Sequence, residues 1–571
     1  MARQDERFEI QVYLTDHWVT ETYARTEQEA RRSVGDLLTN TGFGGVRILR
    51  EYTARNGADA AQVIFTQLKE QTKVDRIGAS PIDSAPMCRS SADLLGATGR
   101  QTFGRVLRAY LDRFVLTQTE VLYNPREAKK AMEAEGLAMA CVSKVAALQA
   151  KEAGITPQQR SNQIFDLLNA AQERAQVAAS RPGLPTLEAN ARFATVLASL
   201  KRVASADEGA FLAMVVLARD LSATRSWLGK LERLLTLIEG ESDGDAVRLI
   251  DQVVADVLGS VDGVRDLLGR QQNLAGAILA LVDLLDGKVE AKGEDAPEVA
   301  RTLAARVNAP GLAETRAALL EAACRQLRGR GDLVRGERDQ QILAWKRIGQ
   351  RLLRATSFPG GSRMAEALVL GYLRFQEQGG DIGRKAVIGN ALAALDSPAD
   401  RVRIAALLCD TELGDQFPEA VRGRIDDILW PAKSMNDLTP ASLAPPDRMK
   451  QVAAAWRAVK SAERVPDRSR EKWMEIMDRL LAAFIDQSQI VERLDDHAAS
   501  LRIRATRLVQ FCASDAVTEG RAADVARQRV IGHLRQPNFD QHFVADLSGD
   551  ADRAKALRDF YALLRRARFE A

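Results

Sequence analysis

"LDSPADRVRIAALL" occupies Leu395–Leu408, and "LDDHAASLRIRATRL" occupies Leu494–Leu508. With Leu395 set against Leu494, Asp396 meets Asp495, Ala399 meets Ala498, Arg403 meets Arg502, Ile404 meets Ile503 and Ala406 meets Ala505. Val402 meets Leu501, a like-for-like apolar exchange. Pro398 suits the first turn of a helix, where its missing N–H leaves no carbonyl unpaired. Val402, Ala406 and Cys409 then recur on one face, and the small Ala lets a second helix approach closely. The stretch reads as a capped, amphipathic helix that buries one side against another helix.

The same periodicity runs outward from it in both directions. From Gln101 to the C-terminus apolar residues recur at three and four: Val106, Tyr110, Phe114; Ile164, Leu167, Leu168, Ala171; Leu228, Leu231, Leu234, Leu235, Ile238. Breakers such as Pro125, Pro157, Gly240, Gly287, Pro310, Pro359, Pro418 and "LTPASLAPPDR" at 438–448 separate the periodic segments. This predicts about twenty helices joined by short turns. We divide them into helical domains at 101–290, 291–437 (with the repeated pair beginning there) and 438–571.

The first 68 residues obey a different rule. "FEIQVYLTDHWVTETYA" alternates in places and is rich in Val, Thr and Tyr, which predicts two strands broken near Thr15–Asp16. In "TEQEARRSVGDLLTNTG", Thr26 and Glu29 form a capping box and Gly42 is a C-cap, so a helix is expected. "GGVRILREYTA" and "AAQVIFTQL" read as two more strands. Residues 1–68 are therefore expected to be a small α+β (ββαββ) domain with the helix on one sheet face. Residues 69–100, including "RIGASPIDSAPMCRSSADLLGATGR", show no sustained period and read as a linker in which Cys88 is the most exposed cysteine. The fold class expected is mostly α, with this small domain and linker preceding a long multi-helix array.

The pattern Leu-Asp…Val-Arg-x-x-Ala-x-x-Leu resembles the second half of a HEAT repeat. Asp396, Pro398, Val402, Arg403, Ala406 and Leu407 fit one copy. Asp495, Leu501, Arg502, Ala505 and Leu508 fit the other, with His497 where the first has Pro. The resemblance implies paired antiparallel helices, an Asp in the turn, and an Arg (Arg403, Arg502) that contacts an Asp. It covers about thirty residues, and an offset of 99 is not a whole number of periods of about 40–47 residues. An α-solenoid and a set of helical bundles both remain open.

Composition narrows the functional classes. Eighty basic and 77 acidic residues leave a net charge of +3 over 571 residues. That balance lacks the basic excess of a nucleic-acid binder. The locally basic "RQLRGRGDLVRGERD" at Arg325–Asp339 carries three acids of its own. The five cysteines, at 88, 141, 324, 409 and 512, never form a CxxC pair, which suits a reducing compartment and argues against a disulfide framework or a zinc ribbon. Met1–Glu9 has no signal-peptide character, and the apolar runs at 210–218 and 274–285 are shorter than a membrane span of about 20 residues. A cytoplasmic location is expected.

Chemistry leaves few traces. The four histidines are His17, His497, His533 and His542. The last two share "IGHLRQPNFDQHF" but are separated by nine residues and Pro537, which is no helical ligand pair. "GRQTFGRV" at 99–106 has Arg105 and Val106 where a phosphate loop needs Lys and Ser or Thr. "TGFGGV" at 41–46 leads into a strand, so its glycines serve a cap and a turn. No catalytic residue, metal site or cofactor is assigned. One speculative binding surface remains: Trp18 and Tyr23 on the sheet face opposite the helix, with Arg47 nearby, where aromatics stack on bases or grip a protein. The alternative places Trp18 in the small core. The function expected is a cytoplasmic scaffold or signalling adaptor that binds protein partners through its helices. Self-association through the N-terminal domain is a further expectation. A nucleic-acid-associated regulator and an enzyme without a readable motif are the alternatives.

Overall fold

The computed structural model describes residues 7–14, 17–39, 45–53, 59–68, 77–188, 191–289, 297–355, 357–377 and 379–569. The turn expected at Thr15–Asp16, the glycines Gly42 and Gly44, and the first part of the expected linker lie outside them. The chain is mostly helical after a small antiparallel sheet, and the described residues form 30 α-helices. That exceeds the expected number because helices of five residues, such as Ser91–Leu95, Glu412–Gln416, Ile490–Leu494 and Phe539–Phe543, are too short to show a period. Among the described residues no helix is long and apolar enough to cross a membrane.

The N-terminal sheet contains β1 (Arg7–Leu14), β2 (His17–Ala24), β3 (Gly45–Thr53) and β4 (Asp59–Leu68), in the order β2-β1-β3-β4 with every neighbour antiparallel. One helix, α1 (Glu27–Thr39), follows β2. Its start shows half of the expected box: Glu29 N–H donates to Thr26 Oγ1 at 3.2 Å, while the Glu29 carboxylate accepts from Arg25 N–H at 3.2 Å, one residue before the cap. Strand alternation sends Phe8, Ile10 and Val12 of β1 and Val46 and Ile48 of β3 to the same side, where Ala30 and Val34 of α1 complete the core.

By its contacts the chain divides into two compact units, Met1–Ala191 with Thr195–Ser226, and Arg192–Ala194 with Trp227–Ala571. The division at Ser226–Trp227 falls inside the stretch 101–290, where neither Pro nor a Gly run marks it.

In the first unit a six-residue helix, Gln118–Tyr123, is buried along its whole length. Helices Ala97–Val106, Pro125–Glu133, Pro157–Ala179 and Ala206–Leu221 surround it. Burying a helix start without solvent demands internal hydrogen bonds. Thr117 and Glu120 supply them: Glu120 Oε2 accepts from Thr117 N–H at 2.8 Å and Oγ1 at 2.9 Å, and Glu120 N–H donates back to Thr117 Oγ1 at 3.2 Å. Leu137–Ala153 packs along Pro157–Ala179.

In the second unit, Gly244–Leu258, Ala313–Arg328, Gly361–Gly371, Pro398–Leu408 and Pro445–Ser461 each touch the next. Gly380–Ala394, Pro418–Leu429 and Asp467–Gln487 likewise touch in succession. The repeated stretch Leu395–Leu408 contributes the fourth helix of the first row. Ala399, Ala405 and Ala406 on Pro398–Leu408, with Ala453, Ala454 and Ala455 on Pro445–Ser461, are buried and small, which lets these two helices pack closely.

Candidate functional site

The structure brings the three candidate sheet residues to one face, the one turned away from α1. Cross-strand pairing sets this: Tyr13 lies opposite Trp18, Gln11 opposite both Thr20 and Arg47, Glu9 opposite Tyr23, and Arg7 opposite Glu51. The Tyr13 and Trp18 rings meet at 5.0 Å. Arg47 reaches diagonally over β1, so that its guanidinium lies 4.6 Å from the Trp18 ring centroid. Its Nε donates to Gln11 Oε1 at 2.6 Å, and Gln11 Nε2 donates to Glu9 Oε1 at 2.8 Å. Arg7 covers Tyr23 at 4.4 Å and pairs with Glu51, which holds the guanidinium above its ordinary pKa through that hydrogen bond. Tyr23 is half exposed. Trp18 therefore belongs to the open face, and the core of Phe8, Ile10, Val12, Val46 and Ile48 closes without it.

The repeated pair reproduces the contacts that its resemblance implies only in part: Arg502 meets an aspartate, Asp546, whereas Arg403 donates to backbone carbonyls. Asp396 is at the surface, where it pairs with Lys346 at 3.4 Å and accepts from Gln350 at 2.9 Å. Arg403 is buried and donates to the carbonyl oxygens of Leu353 at 2.9 Å and Ala355 at 3.1 Å, at the end of helix Arg338–Leu353. Desolvation pushes its pKa down to about 10, with Asp400 acting in the opposite direction. Asp400 is itself pushed up to about 6 by burial, with Arg403 pulling down and Asp396 pushing up.

In the second copy Asp495 is buried, and its arginine partners are Arg504 at 2.9 Å and Arg529 at 3.5 Å rather than Arg502. His533 Nε2 also lies 2.7 Å from Asp495, and Gln536 approaches His533 Nδ1 at 3.3 Å. Burial opposes ionisation of Asp495, yet the hydrogen bonds from Arg504 and His533 prevail and hold its pKa below the ordinary carboxylate range. Arg502 instead pairs with the more exposed Asp546, from Nε at 3.0 Å and Nη2 at 2.9 Å. Two residues apart on a helix is about 200° of rotation, so Arg502 and Arg504 face opposite sides. The helix here starts at Leu501, after Ser500, whereas the first copy starts at Pro398; the two copies are different local structures.

The histidines form no ligand cluster: among the described residues no group of three or more His, Cys, Asp or Glu could hold a metal ion. His497 and His542 are exposed, and the side chain of His17 lies outside the described residues. The "GRQTFGRV" stretch is part of helix Ala97–Val106.

One feature went unread in the sequence. Residues 77–90 run without regular structure along the helices of the first unit, and side chains hold their backbone in place. Lys144 Nζ donates to Ala79 O at 2.7 Å, Arg105 to Ser84 O at 2.9 Å, Gln149 to Pro86 O at 2.5 Å, and Arg160 to Cys88 O. Ser80 N–H donates to Val106 O at 2.8 Å. Residues 77–90 of the expected linker are thus a strap tied to the helices, and most of 91–100 is helical, in Ser91–Leu95 and the start of Ala97–Val106. Beneath it lies an apolar cavity of about 90 Å³ lined by Pro86, Cys88, Phe103, Ala131, Cys141 and Ala171 among others. Proline and serine in residues 77–90 masked the strap, because its ties come from residues far along the chain.

Comparison with protein-family models, with curated proteins and with solved structures finds no match for this chain.

Proposed function

We propose that the chain is a protein-interaction adaptor, working in the cytoplasm, whose N-terminal sheet grips a protein partner while its helices offer further binding area. The observation that carries this reading is the stacking of Arg47 on Trp18, beside Tyr13, on a face that the domain's own core does not need. Arg, Trp and Tyr dominate the binding energy of protein interfaces, and a pre-stacked group loses less entropy on binding than a free one. The rows of touching helices in the second unit support the same reading, since such arrays present long grooved surfaces without catalytic groups. Self-association is a compatible part of it: β4 is an edge strand, and Ala61–Leu68 carries no charge that would repel a second copy.

The nucleic-acid alternative draws on the same face, because Trp18 and Arg47 also suit a stacked base. Glu9 and Glu51 stand on that face as well, and carboxylates there oppose a phosphate backbone. The test uses the full chain with Trp18→Ala and Arg47→Ala. Partners are captured by crosslinking in the host and identified, and affinity is then measured with the purified partner. Each substitution is expected to weaken binding by about thirtyfold, the effect of an interface anchor. Undiminished affinity in both variants would remove the sheet face from the proposal. Salt-sensitive retention of the unaltered chain on single-stranded DNA or RNA would favour the alternative.

A further inference from the structure

We infer that the cavity beneath the strap is a binding site for an aliphatic group, either a small free hydrocarbon or the end of an alkyl chain. This inference is independent of the interaction reading. Its walls come from helices Ala97–Val106, Gln118–Tyr123, Pro125–Glu133, Leu137–Ala153 and Pro157–Ala179, and from Pro86 and Cys88 of the strap. Alanines at 128, 131, 138 and 171 leave the space that larger side chains would fill. At about 90 Å³ it is smaller than the roughly 150 Å³ apolar cavity known to stay dry and take up benzene or xenon, so it selects narrow aliphatic groups.

Apart from Gln172, the polar groups of the wall are engaged or uncharged, which favours an apolar ligand. Thr102 Oγ1 already donates to its own helix at Thr98 O, 3.0 Å away. Gln149 is fully engaged: its Nε2 donates to Pro86 O, and its Oε1 accepts from Arg160 Nε at 3.0 Å and Nη2 at 2.7 Å. Both thiols in the wall are uncharged. Burial raises the pKa of Cys88 and pushes that of Cys141 up to about 11, so neither supplies a thiolate. What remains is shape and apolar surface.

Access follows from the strap's geometry. Pro86 and Cys88 line the cavity, while Met87 and Arg89 line a neighbouring cleft that shares Leu167 with it. The ties at Pro86 and Cys88 are hydrogen bonds from the side chains of Gln149 and Arg160 to backbone carbonyls. Breaking them frees the cavity mouth and leaves the helices in place. Cys88, in the wall and on the strap, reports the opening.

The experiment uses the full chain and two probes: n-pentane for the free hydrocarbon, and octanoate for the alkyl chain end. A bound probe is expected to raise the Tm of the first unit by about 5–10 °C at a hundredfold excess over Kd, and to slow alkylation of Cys88, read by peptide mass spectrometry. Stabilisation by n-pentane alone assigns the small hydrocarbon; stabilisation by octanoate assigns the chain end. Ala171→Leu should abolish the shift by filling the space. Gln149→Ala, which removes the tie at Pro86 and the acceptor that positions Arg160 on Cys88 O, should speed Cys88 alkylation about fivefold without probe. The inference is overturned if neither probe raises Tm or protects Cys88 in the unaltered chain, or if Ala171→Leu folds and still responds fully. Protection of Cys88 needs no variant, so a misfolded Ala171→Leu leaves the test intact.

Discussion

Replacing Asp400 by Asn should stabilise the second unit at pH 8 and do nothing at pH 4. Asp400 lies in the first turn of Pro398–Leu408, against Pro445–Ser461, and accepts a hydrogen bond from Gln451 Nε2 at 3.4 Å. Burial raises its pKa from 3.8 to about 6, even with Arg403 pulling downward. The folded state therefore binds this proton more tightly than the unfolded chain does. Below pH 3.8 the group is neutral in both states and costs nothing. Stability is lost as pH rises from there to about 6, and above both values the ionised carboxylate costs about 3 kcal/mol at 1.36 kcal/mol per pKa unit. Asn keeps the shape and an acceptor for Gln451 but cannot ionise. It forgoes the favourable meeting of a carboxylate with a helix N-terminus, worth about 0.3–1 kcal/mol. Relief of the buried charge outweighs that loss, so a gain of about 2 kcal/mol is expected at pH 8. Urea denaturation at pH 4, 6 and 8 measures it by tryptophan fluorescence, which reports mainly this unit: Trp227, Trp345, Trp430, Trp456 and Trp473 all belong to it. Equal or lower stability of Asp400→Asn at pH 8, or the same gain at pH 4, would refute the reasoning.

Asp495→Asn should be strongly destabilising at neutral pH, by about 3–5 kcal/mol, because it leaves Arg504 facing a buried site without its charge partner. The unaltered chain should lose that contribution as pH falls below the ordinary carboxylate range, since the depressed pKa of Asp495 makes its stabilisation a property of the ionised form; thermal melts across pH 2–7 read both effects. Arg403→Ala and Arg502→Ala, at matching positions of the repeated stretch, should differ. The first strips donors from two carbonyls at a buried site and should cost about 2–4 kcal/mol, while the second removes a largely exposed pair and should cost about 1 kcal/mol or less. Equal losses in denaturant titration would show that the two sites are equivalent after all.

Several of these features were legible in the residues. Two-residue alternation in Arg7–Leu14 and Gly45–Thr53, against three-to-four spacing beyond Gln101, separates the sheet from the helices with no other information. The Thr26–Glu29 cap and the prolines at 125, 157, 398, 418 and 445 mark helix starts because their effects are local. Trp18 and Arg47 were legible as residue types. Their shared face was not, because strand register decides it and a slip of one residue would turn either side chain toward α1.

Sequence alone determined the class of fold, since period and capping depend on neighbours within a turn or two. Tertiary structure decided the meaning of every charged residue in the repeated stretch. Arg403 and Arg502 occupy the same place in nearly the same words, yet one is buried on carbonyls of another helix and the other pairs with Asp546. The strap at 77–90 has the same origin: its composition permits a free tether, and Arg105, Lys144, Gln149 and Arg160, brought to it by folding, make it a wall. Burial is a relation between distant parts of the chain, so no local pattern could have specified it.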